Sequence, residues 1–286
     1  VANLKDIRRR IRSVRKTQQI TRAMRMVAGA KLRRAQNAVT QARPYATRMR
    51  ATLAEVARLP QDTPHPLLVP RAESRKLELV VITSNRGLCG AFNQNVLRFA
   101  ERLVAARERE GAAVVITPVG RKSYDYFLRR RRRQLLERRI YDGWASYASA
   151  AKLAAELGER FLSGAADEIV IVYSEFVSPL SQVPRAQRLL PALPEAPAGE
   201  APLPAEIEPN AEKLLATLVP KALEVEVFQA LLENQSGEHA ARMAAMEAAT
   251  RNTEELIARL TLQFNRARQA AITKELVEIV SGAEAL

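Results

Sequence analysis

Cysteine is nearly missing from these 286 residues; Cys89 is the only one. A single thiol excludes an internal disulfide and a multi-cysteine metal centre, and it fits a reducing compartment. Histidine is almost as scarce: His65 and His239 stand far apart in sequence, which argues against a zinc site. No run of 18 apolar residues occurs, so no membrane-spanning helix is expected. The opening VANLKDIRRR has charge but no apolar segment or small-residue cleavage site, so no secretory signal is expected. Acidic residues are missing from one end. Residues 1–59 hold 16 Lys and Arg against only Asp6 and Glu55, while the rest balances at 29 basic and 29 acidic groups. The whole excess of +14 therefore sits in the first fifth of the chain and asks for an acidic partner there.

Glycine and proline are scarce at both ends. Residues 3–58 contain only Gly29 and Pro44, and the residues between are mostly good helix formers. Steps of three and four pick out Leu4, Ile7, Ile11, Val14, Gln18, Thr21, Arg25, Ala28, Leu32, Ala35, Val39, Ala42, Ala46, Met49, Leu53 and Val56. That seven-residue pattern, with a polar gap at Gln18, Thr21 and Arg25, predicts a coiled-coil helix about 84 Å long at ~1.5 Å per residue. Pro44 is a candidate kink. From Pro220 to Ile279 the only glycine is Gly237. Phe228, Leu232, Met246, Ala249, Leu256, Leu260, Phe264, Ala267 and Ala271 form a looser apolar stripe. Residues 211–286 are mildly acidic, with 8 basic and 11 acidic groups, so the two ends are expected to pair antiparallel with charges helping to select the pairing.

The middle has another texture. LELVVITS, 112–120 and 167–177 read as strands, 182–190 as an edge strand because Pro184 cannot donate, and 93–110, 121–130 and 146–163 as helices. This alternation predicts a mostly parallel sheet. The expected organisation is a coiled-coil helix over 1–59, a linker over 60–76, a central Rossmann-like α/β domain over 77–190, a proline-rich linker over 191–210 and a second coiled-coil helix over 211–286. The fold class is thus α/β plus long helices, with an antiparallel coiled coil of the two ends.

TSNRGLCGAFN, residues 83–93, joins the first strand to the first central helix as a phosphate loop would. It lacks the lysine of GxxxxGK[ST] and the third glycine of GxGxxG. A plain turn with Cys89 as a small buried hydrophobe is the reading preferred here. RRRRR at 129–133 has little aromatic interleaving and reads as a solvated turn or helix end, not a nucleic-acid patch. Asp125, Asp142, Asp167 and Glu168 show no spacing of paired catalytic acids, and neither GxSxG nor HExxH occurs. No catalytic, cofactor-binding or metal-binding residue is expected. Two other readings stay open: a nucleotide-binding α/β protein with helical arms, and a basic coiled-coil nucleic-acid binder.

The opening IRRRIRSVRKTQQITRAMRMVAGAKLRRAQ resembles the start of the gamma subunits of F-type ATP synthases. The close, ENQSGEHAARMAAMEAATRNTEELIARLTLQFNRARQAAITKELVEIVSGAEAL, is similar to that family's end, and TSNRGLCGAFN matches its first central turn. The likeness covers essentially the whole chain and is weakest over 112–210. It implies a rotor shaft inside a ring of three alpha and three beta subunits, next to the epsilon subunit and the membrane c-ring, coupling proton flow to ATP formation on beta. It implies a non-catalytic subunit with no nucleic acid partner and no direct membrane span. The place implied is peripheral, on the cytoplasmic face of the bacterial inner membrane. By motif match, Met24, Arg25, Arg242, Arg268, Gln269, Thr273 and Glu275 resemble rotor–stator contacts. Arg8, Arg9, Arg10, Arg12, Lys31, Arg33 and Arg34 are expected to form a basic shaft surface. Chloroplast members carry an inserted regulatory cysteine pair; Cys89 stands alone, so that thiol switch is not expected.

Overall fold

A computed structural model describes residues 4–58, 64–71, 75–136, 145–192 and 210–284. Much of the expected linkers 60–76 and 191–210, and the last two residues of the SGAEAL tip, lie outside the described residues. In chain order the long elements are α1 (Leu4–Val56), β1 (Lys76–Ile82), α2 (Phe92–Arg109), β2 (Ala113–Val119), α3 (Arg121–Arg130), α4 (Tyr147–Leu162), β3 (Glu168–Ser178), β4 (Ser181–Leu190) and α5 (Ala211–Glu284). Two compact units result, one of residues 1–29 with 242–286, the other of residues 30–241.

The heptad reading of α1 agrees with its burial. Of the sixteen stripe positions only Arg25 is exposed; Ala28, Leu32, Ala35, Val39, Ala46, Leu53 and Val56 are buried. Pro44 lies inside α1 and Pro220 inside α5, and both helices continue past them. Each proline removes one amide donor, yet buried neighbours such as Ala46, Val219 and Ala222 hold the flanking turns in place.

In the unit of residues 30–241, the described strands form one sheet in the order β2-β1-β3-β4. β1 pairs parallel with β2 and β3, whereas β4 returns antiparallel on β3 as the edge that Pro184 demanded. Side chains alternate across β1. Leu77, Leu79 and Val81 meet Val96, Leu97, Ala100 and Val104 of α2 and Phe127 of α3. Val80 and Ile82 face the other way, into a cluster with Leu53 and Val56 of α1, Leu153, Leu157 and Phe161 of α4, and Leu215, Val219 and Val227 of α5. This period of two places helices on both faces of a short sheet. One position breaks the apolar rule. Glu78 is buried, accepts a hydrogen bond from Thr117 Oγ1 and pairs with Arg160 Nε at 2.9 Å. A buried carboxylate persists only with such partners.

Local signals set the helix ends. Ser146 caps α4 by accepting from Ser149 N–H at 3.2 Å, and Gly164, with φ of 74°, follows its last turn. Burial at Phe92, Val96, Leu97, Ala100 and Val104 follows the helical period on α2. The RRRRR cluster divides between the last turn of α3 and a 3-10 turn at Arg132–Gln134. It is not wholly solvated: Arg131 is mostly buried and bonds Glu101 and Glu108 on α2, each at 2.8 Å.

The turn 83–93 is held by its own polar groups. Ser84 N–H donates to Asn93 Oδ1 at 2.9 Å, and Asn93 Nδ2 donates to Cys89 Sγ at 3.1 Å. Phe92 N–H donates to the Cys89 carbonyl, and Asn85 Oδ1 accepts from Arg121 N–H at the start of α3. The turn is thus tied to α2 and to the start of α3 by its own polar groups. Phe92 then packs against α5, where a Cβ added to Gly237 would lie 3.0 Å from its ring.

Next to this turn, Gly120 adopts φ of 96°, and an added methyl would overlap the Thr83 carbonyl oxygen. Backbone strain and overpacking act together there. Gly120→Ala is expected to lower unfolding free energy by about 3 kcal/mol in urea titrations, whereas Gly111→Ala, with open space around it, is expected to cost about 1–2 kcal/mol.

Candidate functional site

The described residues of the unit 1–29 with 242–286 belong to α1 and α5, so its described surface is that of a helix pair. Contacts run antiparallel, because rising numbers on α1 meet falling numbers on α5. Arg22 Nη2 bonds Glu254 at 2.6 Å, Thr21 Oγ1 meets Thr250 Oγ1 at 2.8 Å, and Arg25 Nη1 approaches Glu247 at 4.0 Å. Gln18 Nε2 also donates to Glu254 at 3.1 Å. The polar gap in the α1 heptad is therefore answered on α5 by a threonine and two glutamates.

Thr21 and Thr250 are each 7% exposed, so their hydroxyls need partners. Each has two. Thr250 donates to the Met246 carbonyl at 2.8 Å, as an i−4 back-bond, and Thr21 reaches the Gln18 carbonyl at 3.0 Å or Thr250 itself. Apolar layers flank this pair. Ile7, Ala28, Met246 and Leu260 are buried, Met243 Sδ would lie 3.5 Å from a Cβ on Gly29, and the Arg8 guanidinium covers the Phe264 ring at 5.4 Å.

The expected contact residues fall in different settings. Met24 is half-buried, and Arg25 is exposed and shared with Glu247. Arg242 is half-buried on the first turn that α5 contributes to this unit. Arg268, Gln269, Thr273 and Glu275 are exposed on α5. Arg9 pairs with Asp6 at 2.9 Å, and Arg10 and Arg12 are exposed. Lys31, Arg33 and Arg34 are exposed on α1 in the other unit. Sequence reasoning missed Glu247, Thr250 and Glu254. Their only signal was their spacing of three and four on the helix opposite the polar gap.

Apolar side chains also point outward. Ile20, Met26 and Val27 on α1 are 60%, 66% and 56% exposed. Near the end of α5, Ile272, Leu276, Ile279 and Val280 recur at helical spacing and are all about half exposed or more. Exposed apolar stripes beside exposed arginines mark a surface made for partners.

Paired long helices with such a surface, joined in sequence to a small sheet unit, define the class of helical-shaft proteins with an α/β unit. The comparisons agree. The ATP synthase family profile matches residues 3–286. The chain is 49% identical, over 99% of both chains, to the ATP synthase gamma chain of Anaeromyxobacter sp. (strain Fw109-5). It is 46% identical to that of Geobacter metallireducens, over 100% of this chain and 99% of the relative. A chain from the central stalk/c-ring structure of Tetrahymena thermophila mitochondrial ATP synthase is 26% identical with a TM-score of 0.61, covering 80% of this chain and 99% of that one. A chain from the rotor of Euglena gracilis mitochondrial ATP synthase shares the fold at a TM-score of 0.67 and 23% identity, over 94% and 98% of the two chains. The chain belongs to the ATP synthase gamma family, the non-catalytic central-stalk subunits of that enzyme.

The Thr21–Thr250 contact makes a double-mutant cycle informative. Thr250→Val alone is expected to cost about 1 kcal/mol by thermal or urea unfolding, since it removes a buried partner. Adding Thr21→Val is expected to cost clearly less than a second such step, because the hydroxyl left behind is then gone.

Proposed function

We propose that this chain is the turning shaft of a bacterial F-type ATP synthase. Its helix pair would stand inside a ring of three alpha and three beta subunits. Its α/β part would sit with the epsilon subunit on the membrane c-ring, peripheral to the cytoplasmic face of the inner membrane. Rotation driven by proton flow would then set the state of each beta subunit in turn. The observation that carries this reading is the identity of nearly half of all residues with gamma chains over the full length. Among the described residues no helix is long and apolar enough to cross a membrane, so attachment would be through partners.

The functional division proposed is a coiled-coil part from 1–59 and 211–286 and a docking part from 77–190. One asymmetric shaft facing three identical sites presents each with a different surface. To move one site from 1:99 to 99:1 between two conformations takes about 5.5 kcal/mol of differential contact. The surface must supply that and still let go. Exposed ion pairs suit the task, each worth roughly 0–1 kcal/mol and readily exchanged. Met24, Arg25, Arg242, Arg268, Gln269, Thr273 and Glu275 are the proposed stator contacts. Arg8, Arg9, Arg10, Arg12, Lys31, Arg33 and Arg34 supply the positive surface for acidic segments of beta. The outward apolar stripe at Ile272, Leu276, Ile279 and Val280 would turn in an apolar sleeve.

Reconstitution tests the reading. Mixed with cognate alpha and beta subunits, the chain is expected to enter once per three alpha–beta pairs and to raise ATPase activity. Failure to incorporate would overturn the proposal. In the same assembly, neutralising Arg8, Arg10, Arg12, Arg33 and Arg34 together to Gln is expected to weaken coupled hydrolysis at least several-fold. Unchanged assembly and coupling would remove the basic surface from the mechanism.

A further inference from the structure

Within the unit of residues 30–241, α1 and α5 share a second polar layer, whose carboxylates are more enclosed than Glu247 and Glu254 of the first. Arg43 and Arg50 stand seven residues apart on α1, and Glu226 and Glu233 seven apart on α5, so each pair occupies one helix face. They meet antiparallel as two rungs. Arg50 Nε lies 2.8 Å from Glu226 Oε1, and Arg43 Nη2 lies 3.6 Å from Glu233 Oε1. Gln229 links the rungs, accepting from Arg50 Nη2 and donating to Glu233 Oε1, each at 3.0 Å. Both rungs also reach the sheet. Arg43 Nη2 donates to the Phe176 carbonyl of β3 at 3.2 Å, and Gln187 of β4 donates through Nε2 to Glu226 Oε2.

We propose that Arg43, Arg50, Glu226 and Glu233 form a clamp that carries torque between the sheet and the helix pair. This inference rests on the rotor reading given above. Its physical basis is direction. The apolar contacts around the clamp, at Ala35, Val39, Ala46 and Leu53, are non-directional and resist rolling or sliding only weakly. Arg43 donates to the Phe176 carbonyl, Arg50 to Gln229, and the two carboxylates accept from Gln229 and Gln187, and such charge-assisted hydrogen bonds lose strength once angle or length departs from a narrow range. The carboxylates are also enclosed, with side chains 3% exposed at Glu233 and 15% at Glu226. The guanidinium ends are half exposed, but a carboxylate so enclosed that loses its arginine is poorly compensated by water, which makes the pair harder to exchange than one exposed on both sides. Ordinary fold-stabilising ion pairs would look similar at rest; the two roles differ under load. ATP synthesis drives the rotor against the catalytic sites and needs the sheet and helices to turn as one. Hydrolysis in enzyme released from the membrane bears no such load.

The test uses the complete enzyme in proteoliposomes, comparing the rate of proton-driven synthesis with the rate of hydrolysis in detergent-released enzyme. Arg50→Gln and Glu226→Gln are each expected to lower that ratio about threefold or more, while the double variant falls little further because both changes break one rung. Arg43→Gln should act in the same direction. Reversing the rung, with Arg50→Glu and Glu226→Arg together, is expected to recover much of the ratio. If a variant assembles poorly, Glu226→Asp keeps the charge at shorter reach and should give an intermediate ratio. A lowered melting temperature with an unchanged ratio would overturn the clamp. Failure of the unaltered chain to incorporate would instead overturn the rotor reading, and the clamp with it.

Discussion

A helix as long as α1 cannot remain alone in water, because its apolar stripe must be covered and propensity alone is too weak to hold it. In each compact unit α5 supplies that cover, antiparallel, and the rest of the structure follows from the pairing. Alanine is frequent among the buried positions of the two helices: Ala28, Ala35 and Ala46 on α1 and Ala222, Ala230 and Ala240 on α5 are nearly or fully buried. Small apolar side chains say little about which turn meets which. Register has to come from elsewhere. It comes from polar residues placed in the stripe, as in coiled coils where one buried polar group fixes alignment at some cost in stability.

That division explains what could be read from the sequence. The α1 stripe, the strand-helix alternation and the edge position of β4 were all legible, because period, proline and glycine act locally. The gap at Gln18, Thr21 and Arg25 was also visible, but its answer on α5 was not. Thr250 and Glu254 lie more than 220 residues away, and no local rule links them to Thr21 and Arg22. Arg43, Arg50, Glu226 and Glu233 escaped for the same reason. Their spacing of seven was present in the chain, yet on α5 the span from Ala222 to Ala240 is buried almost all round, so no polar face stood out there. A helix enclosed on several sides loses its amphipathic signature.

The turn at 83–93 shows how a resemblance in pattern can mislead about chemistry. Strand, glycine turn and helix are all present, as in a phosphate loop. What differs is the use of the polar groups: Ser84, Asn85, Asn93 and Cys89 bond within the turn or to the start of α3, and Phe92 leans on Gly237. Buried Tyr173 gives a related example. Burial first, and then the Glu233 carboxylate, hold its phenol above the usual value, so it stays a neutral donor to Gln187 at 3.3 Å. The turn ties β1 to α2 and α3, while Tyr173 ties β3 to Gln187 of β4, whose amide in turn reaches Glu226 of α5.

Two demands compete in any shaft that must turn. It has to be stiff inside and loosely held outside. The same residue types can meet both demands, because burial changes what a charge is worth. An exposed arginine such as Arg25, 4.0 Å from Glu247, interacts through high-dielectric water and can trade one carboxylate for another at small cost. Arg43 and Arg50 are exposed to a similar degree, but their acids Glu233 and Glu226 are enclosed, and there losing a partner costs more. The burial of the acid, not of the arginine, thus separates a pair that is readily exchanged from one that is not. On this argument the net charge of +14 is less informative than the depth at which each arginine meets its acid.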